Sequence, residues 1–186
     1  MDVLPEGTEV DDLVLRAWAP ADAPALHAAV TASVEHLRPW MPWIRFEPMA
    51  VEQRVELIEH WVQRRQDGGD LAMGVWRDGV VVGAMGLHRR LGPDALELGY
   101  WVHVDHAGRG VATAAARAAT DLAFTVAGIE HVEIHHDIAN VASSRVPEKL
   151  GYERIGTIEP NRPHVAPSET GTDVVWRTSR PAWTAA

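Results

Sequence analysis

A chain of 186 residues with 46% hydrophobic and 23% charged content has the make-up of one ordinary globular domain with room for a full core. The absence of cysteine excludes disulfides, thiolate metal ligands and a cysteine nucleophile. A formal net charge of −9 argues against nucleic-acid binding, and no apolar stretch reaches membrane-spanning length.

The N-terminal MDVLPEGTEVDD is acidic and broken by Pro5 and Gly7. It lacks the basic start and apolar run of a signal peptide, so a cytoplasmic protein is expected. Asp12 to Ala17 alternates apolar and polar and predicts the first strand. Pro20 and Asp22 open a helix with Leu26, Val30, Val34 and Leu37 on one face. Pro39 and Pro42 stop it within RPWMPW, Arg38 to Trp43. A second amphipathic helix carries Val51, Val55, Ile58 and Val62 and ends at Gly68-Gly69.

LAMGVWR and VVVGAMGLHRR are predicted strands joined by the hairpin signal Asp78-Gly79. Gly92-Pro93-Asp94 turns the chain into a third strand of this group, ALELGYWVHV. After HAGRGVAT, His106 to Thr113, a helix runs to about Ala127 with Val111, Ala115, Leu122 and Val126 at helical spacing. HVEIHHD is a strand, Asn140 to Leu150 a short helix stopped by Gly151, and YERIGTIEP and TDVVWRTS the last strands. A proline-containing loop, Asn161 to Gly171, separates those two. The predicted order is β-α-α-β-β-β-α-β-α-β-β: a mixed α/β sheet of about seven strands with helices on both faces. The first hairpins should be antiparallel, and Leu96 to Asp137 should form a parallel pair by right-handed crossover.

Two glycines flanking one arginine between a strand and a helix raise a chemical question. A helix start exposes unpaired backbone N–H groups at the positive end of its dipole, which suits an anion. Glycines let a phosphate approach, and Arg109 adds charge. A tight turn with no ligand reads equally well from the glycines alone. A P-loop would need Gly-Lys-Ser/Thr, which is absent. A dinucleotide fingerprint would need glycine where Thr113 stands, although Asp137 could imitate its ribose-binding acid. The late position of the loop, after three antiparallel-looking strands, also argues against that fold.

From Leu13 to Trp176 the chain resembles the GNAT acyltransferase superfamily, RimJ/RimL type. That family's loop reads Gln/Arg-x-x-Gly-x-Gly/Ala, and Ala107-Gly108-Arg109-Gly110-Val111-Ala112 matches its second half, with Ala107 replacing the leading polar residue. EHLRPWMPW, Glu97-Leu-Gly-Tyr-Trp-Val, Asn140-Val-Ala-Ser143 and Glu148-Lys-Leu-Gly-Tyr152 resemble further family segments in order. The resemblance implies one domain over 1–186, core about 13–178, and acetyl transfer from acetyl-CoA to a primary amine in a ternary complex. Pro147 departs from it, because proline in a helix interior forfeits a hydrogen bond and a kink there would turn Ser143 away.

The resemblance also implies roles. Ala107, Gly108, Arg109, Gly110, Val111, Ala112 and Thr113 would hold the phosphates, and the backbone of Val102, His103 and Val104 would pair with pantetheine. Glu97 would act as base and touch the acceptor; by strand pattern alone it is an edge or surface carboxylate. Asn140 would orient the co-substrate and Ser143 would protonate or hydrogen-bond the leaving thiolate, whereas pattern alone offers helix capping. Tyr100 and Tyr152 are fallback acids, read first as packing residues. Trp40 and Trp43 are either core aromatics or walls of the acceptor site. No histidine set has zinc spacing, since His135 and His136 point to opposite faces of a strand, so no metal is expected. The expected acceptor is a protein N-terminus, with a small cationic amine or a non-catalytic acyl-CoA-binding domain as alternatives. No nucleic-acid or membrane partner is expected, and a homodimer is left open.

Overall fold

The structure is a computed structural model that describes residues 3–160 and 165–184. Asn161 to His164, in the loop singled out above, lie outside the described residues. Eight strands form one sheet in the order β1-β2-β3-β4-β5-β6-β8-β7. They are β1 (Gly7–Val10), β2 (Leu13–Ala17), β3 (Leu71–Arg77), β4 (Val80–His88), β5 (Ala95–Val102), β6 (His131–Asp137), β7 (Glu153–Ile158) and β8 (Asp173–Ser179). The helices are α1 (Ala23–Leu37), α2 (Val51–Gln66), α3 (Val111–Thr125), α4 (Val141–Lys149) and the short α5 (Arg180–Thr184). Two elements exceed the expectation from sequence, β1 and α5. β1 is a four-residue edge strand that turns into β2 through Asp11, at φ 51°.

The mixed topology is as expected. β1 through β5 pair antiparallel, and β5 pairs parallel with β6. That parallel pairing covers only Ala95–His131, Leu96–Val132 and Glu97–Glu133. Beyond Glu97 the two strands separate while β6 continues along β8 to Asp137. The gap between them is the main architectural event of the fold.

Strand alternation sends opposite residues to two cores. Leu13, Leu15, Met73, Leu87, Leu96 and Leu98 face α3, whose Ala115, Ala116, Ala118, Ala119 and Ala123 let the helix lie close to the sheet. On the other face Trp18, Trp76 and Val81 pack under α1 and α2 through Leu26, Val30 and Ile58.

Asp137, at the end of β6, is structural. Its carboxylate accepts from the amides of Ala139 (2.9 Å), Thr170 (2.7 Å) and Gly171 (2.9 Å) and from the Thr170 hydroxyl. Burial alone would raise its carboxyl, but these donors outweigh it and hold it below the usual range. Asp137→Ala leaves three partly buried backbone donors without their acceptor, and we expect it to cost about 1–3 kcal/mol, read as a lower urea midpoint.

Candidate functional site

Between the diverging ends of β5 and β6, covered by α3, α4 and the end of α1, lies a cleft of about 340 Å³. Gly110 caps α3 at φ 82°, ψ −5°, and Gly108 has φ 73°. A Cβ at either glycine would meet no atom within 4 Å. Backbone conformation and open approach therefore call for glycine here, not packing. Gly110, Val111, Ala112 and Thr113 line the cleft with the first turn of α3, where backbone N–H groups have no helical partner. Arg145 and Lys149, one turn apart on α4, line the same cleft and add two cationic side chains. Neither had been singled out by sequence reasoning, because their approach to the loop depends on how α4 crosses it.

Val102 lines the cleft. The His103 amide donates to the Val82 carbonyl at 2.9 Å, and the Val104 amide to Ser33 Oγ at 3.1 Å. Of the three backbone positions predicted to pair with a ligand, His103 and Val104 thus have their donors occupied. Ladder alternation turns the polar groups of Val102 away from β4, toward the gap. His103 instead uses its ring to accept from Asp105. His106 and Ala107 line the cleft, and Arg109 stands exposed outside it. The His106 imidazole is held below its ordinary range by burial and by the neighbouring His103, Arg109 and Arg77.

On the opposite wall Asn140 caps α4, its side chain accepting from the Ser143 amide at 3.1 Å, and both residues line the cleft. Capping and a place in the cleft are compatible for Asn140. Pro147 does not turn Ser143 away. α4 runs through it, and its missing N–H leaves the Ser143 carbonyl without its helical partner. Tyr100 fills the vacancy: its hydroxyl donates to that carbonyl at 3.2 Å and lies 3.0 Å from Ser143 Oγ. Burial pushes the Tyr100 phenol up to about 12. Tyr152 is a packing residue, hydrogen-bonded to Thr120 at 2.6 Å and edge-on to Trp183.

A second cavity, about 470 Å³ and mostly apolar, lies on the α1–α2 face of the sheet. Its floor is Ala72, Ala84, Gly86 and Gly99, and its walls include Trp18, Trp43, Trp61 and Trp101. Met41, Tyr100 and Trp101 line both cavities, so the two meet at one wall. Trp40 and Trp43 part company there. Trp40 lines the cleft, whereas Trp43 lines the chamber and packs against Trp101 with ring centroids 6.3 Å apart. Glu97 lines neither cavity. Both its oxygens are taken by Arg90, one at 2.6 Å from Nε, and His135 Nδ1 lies 3.9 Å away.

Residues 12–153 match the acetyltransferase (GNAT) domain family. The chain belongs to this family. It is therefore an acetyltransferase that draws on acetyl-CoA, and the cleft fits that co-substrate on its own chemistry: free helix-start amides, two unobstructed glycines and two cationic side chains for phosphate, with a splayed strand beside them. The chain is 27% identical over 144 residues to the Bacillus subtilis (strain 168) protein named putative ribosomal N-acetyltransferase YdaF, covering 76% of this chain and 78% of the relative. Two solved structures share the fold. RimL, the ribosomal L7/L12 α-N-protein acetyltransferase in complex with coenzyme A, superposes at TM-score 0.81 and 17% identity, over 97% of this chain and 99% of RimL. The microcin C7 self-immunity acetyltransferase MccE, in complex with acetyl-CoA and AMP, superposes at TM-score 0.83 and 17% identity, over 95% and 98%.

Proposed function

We propose that this GNAT enzyme acetylates the N-terminal α-amine of a protein by direct attack in a ternary complex. The observation carrying this reading is the meeting of two cavities at Met41, Tyr100 and Trp101, one suited to an anionic co-substrate and the other to an acceptor. The names of YdaF and RimL support a protein acceptor. When bound, acetyl-CoA supplies an activated acetyl thioester.

The chain's own residues do the rest. The amides from Gly108 to Thr113, with Arg145 and Lys149, hold phosphate. Val102 offers backbone pairing, and Asn140 and Ser143 fix the inner wall. Tyr100 is the donor available to sulfur at the shared wall. A phenol raised to about 12 is a weaker acid than a thiol, whose ordinary pKa is about 8.5. Tyr100 therefore keeps its proton, and its one hydroxyl hydrogen turns from the Ser143 carbonyl to the departing thiolate and stabilises it. Ser143 supports Tyr100, which refines the expected role of Ser143 as the proton source. Trp43 and Trp101 wall the acceptor side.

The test is thiol release from acetyl-CoA with a panel of peptides and small amines. Release is expected with free N-termini and lost when the same peptides are N-terminally blocked. Release with small amines alone would move the acceptor to that class. Release with neither would leave an acyl-CoA-binding domain.

A further inference from the structure

Direct attack needs a neutral amine, and Glu97, held by Arg90 outside both cavities, is poorly placed to make one. The acceptor chamber contains another group. His88 ends β4 on the same face as Gly86, and across the ladder Gly86 faces Gly99. The imidazole lies over these two glycines. A Cβ on Gly86 would come within 2.5 Å of His88 Nε2, and one on Gly99 within 3.5 Å. Their lack of side chains gives the ring its place and keeps Nε2 on the chamber floor, beside the Tyr100–Trp101 wall.

Behind the ring, His88 Nδ1 sits 3.1 Å from Asp70 Oδ2. The other Asp70 oxygen accepts the Arg89 amide at 2.8 Å, and Arg64 of α2 lies 3.6 Å from the carboxylate. The hydrogen bond from His88 is the largest influence on Asp70 and helps bring its carboxyl down to about 2. An ionised carboxylate can only accept, so Nδ1 carries the hydrogen and the neutral ring keeps its lone pair on Nε2. The remaining charged groups around the ring are Glu97, opposite on β5 with Arg90 and His135 upon it, Arg89 next in the chain, and the Glu47–Arg54 pair across the chamber.

We propose that His88 is the base of the acceptor site, taking a proton on Nε2 from the bound ammonium, and that Asp70 is the positioning residue that fixes its tautomer. The step balances simply. The ammonium becomes a neutral amine with a free lone pair, the imidazole becomes imidazolium, and the imidazolium returns its proton to water. The proposal rests on the amine-acetylation reading above and deepens it.

The size of the effect follows from the substrate. An α-amine of pKa near 8 is only about one-tenth neutral at pH 7. With an accepted amine of pKa near 8, His88→Gln should lower kcat/KM about tenfold at pH 7, and the deficit should shrink to about twofold by pH 9, where that amine needs no base; with an accepted amine of pKa near 10.4 the deficit should persist at pH 9. Coenzyme A affinity by calorimetry should stay the same. Asp70→Asn should give a smaller loss, because the ring keeps its place but loses the carboxylate that fixes its tautomer. Nitrogen NMR of the free protein should show His88 protonated at Nδ1 and bare at Nε2, and scrambled in Asp70→Asn. A pH-independent loss in His88→Gln with the amine of pKa near 8, no loss at all, the opposite tautomer, or a large loss in Glu97→Gln beside an intact His88→Gln would each overturn the proposal. The wild-type panel judges the acceptor class separately, since every variant is compared with wild type on an amine already shown to react.

Discussion

Replacing Gly110 by valine should raise the dissociation constant for coenzyme A about thirtyfold while the protein stays folded. Gly110 caps α3 in the left-handed region, at φ 82°. An L-residue there costs roughly 1–2 kcal/mol, and a branched side chain is a poorer fit still. The chain can relieve that strain by moving φ to negative values, but doing so re-aims the first amides of α3, which are the donors offered to phosphate. Losing such a helix-start interaction is worth up to about 2 kcal/mol, which corresponds to the stated factor of about thirty. Valine also intrudes on space that is open up to 4 Å around the glycine. Gly128→Val is the control. Gly128 is also left-handed, at φ 79°, with equally open surroundings, but it lies between α3 and β6 and does not line the cleft. It should lose stability by a similar amount and keep its coenzyme A affinity. Equal loss of affinity in both variants would mean that the glycines shape the fold and not the cradle.

Long periodic segments were legible in the sequence because each carries its own signal. β2 to β8 and α1 to α4 fall where alternation, helical spacing and glycine or proline stops place them. β1 was not legible. GTEV is too short to show a period, and its partner β2 supplies its order through pairing. α5 was missed for a similar reason. It is five residues long, and its leading Arg180 is tied by its guanidinium to the carbonyls of Val126 and Ile129, a contact that no local pattern encodes.

The site divides along the same line. The glycine loop, Asn140 and Ser143 came within reach through the family resemblance, since residue pattern alone offered only a tight turn and a helix cap. Arg145, Lys149 and His88 did not, because their roles depend on which strand register or helix crossing brings them to a wall; Tyr100 was within reach only as a fallback acid, read first as a packing residue. His88 shows this well: Gly86 precedes it on the same face, but Gly99 joins them only through the β4–β5 ladder. Pro147 was a mismatch in sequence and is an asset in the fold, since the carbonyl it frees holds Tyr100. A serine followed four residues later by a helical proline was the available signal.

Tyr100→Phe should lower kcat about a hundredfold and leave coenzyme A affinity within about twofold of wild type, the usual worth of one donor aimed at developing charge. The phenol ring and its packing remain, so only the hydroxyl is lost. Ser143→Ala should cost less, about tenfold, because Tyr100 keeps the hydrogen it offers to sulfur and loses only the contact with Ser143 Oγ. The order of the two losses is the informative result: a larger loss in Ser143→Ala would make the serine, and not the phenol, the group that meets the thiolate. The pH dependence gives an independent check. The chain has two tyrosines, and burial pushes both phenols upward, Tyr100 to about 12. Absorbance near 295 nm should therefore show little tyrosinate at pH 10 in the native protein, whereas the denatured chain is then about half ionised. Above pH 10 the unfolded chain releases protons that the folded one retains, so this contribution to stability falls as pH rises from 10 toward 12. A tyrosinate signal that appears at pH 10 with the fold intact and disappears in Tyr100→Phe would place Tyr100 in water, and with it would go the donor on which thiolate release depends.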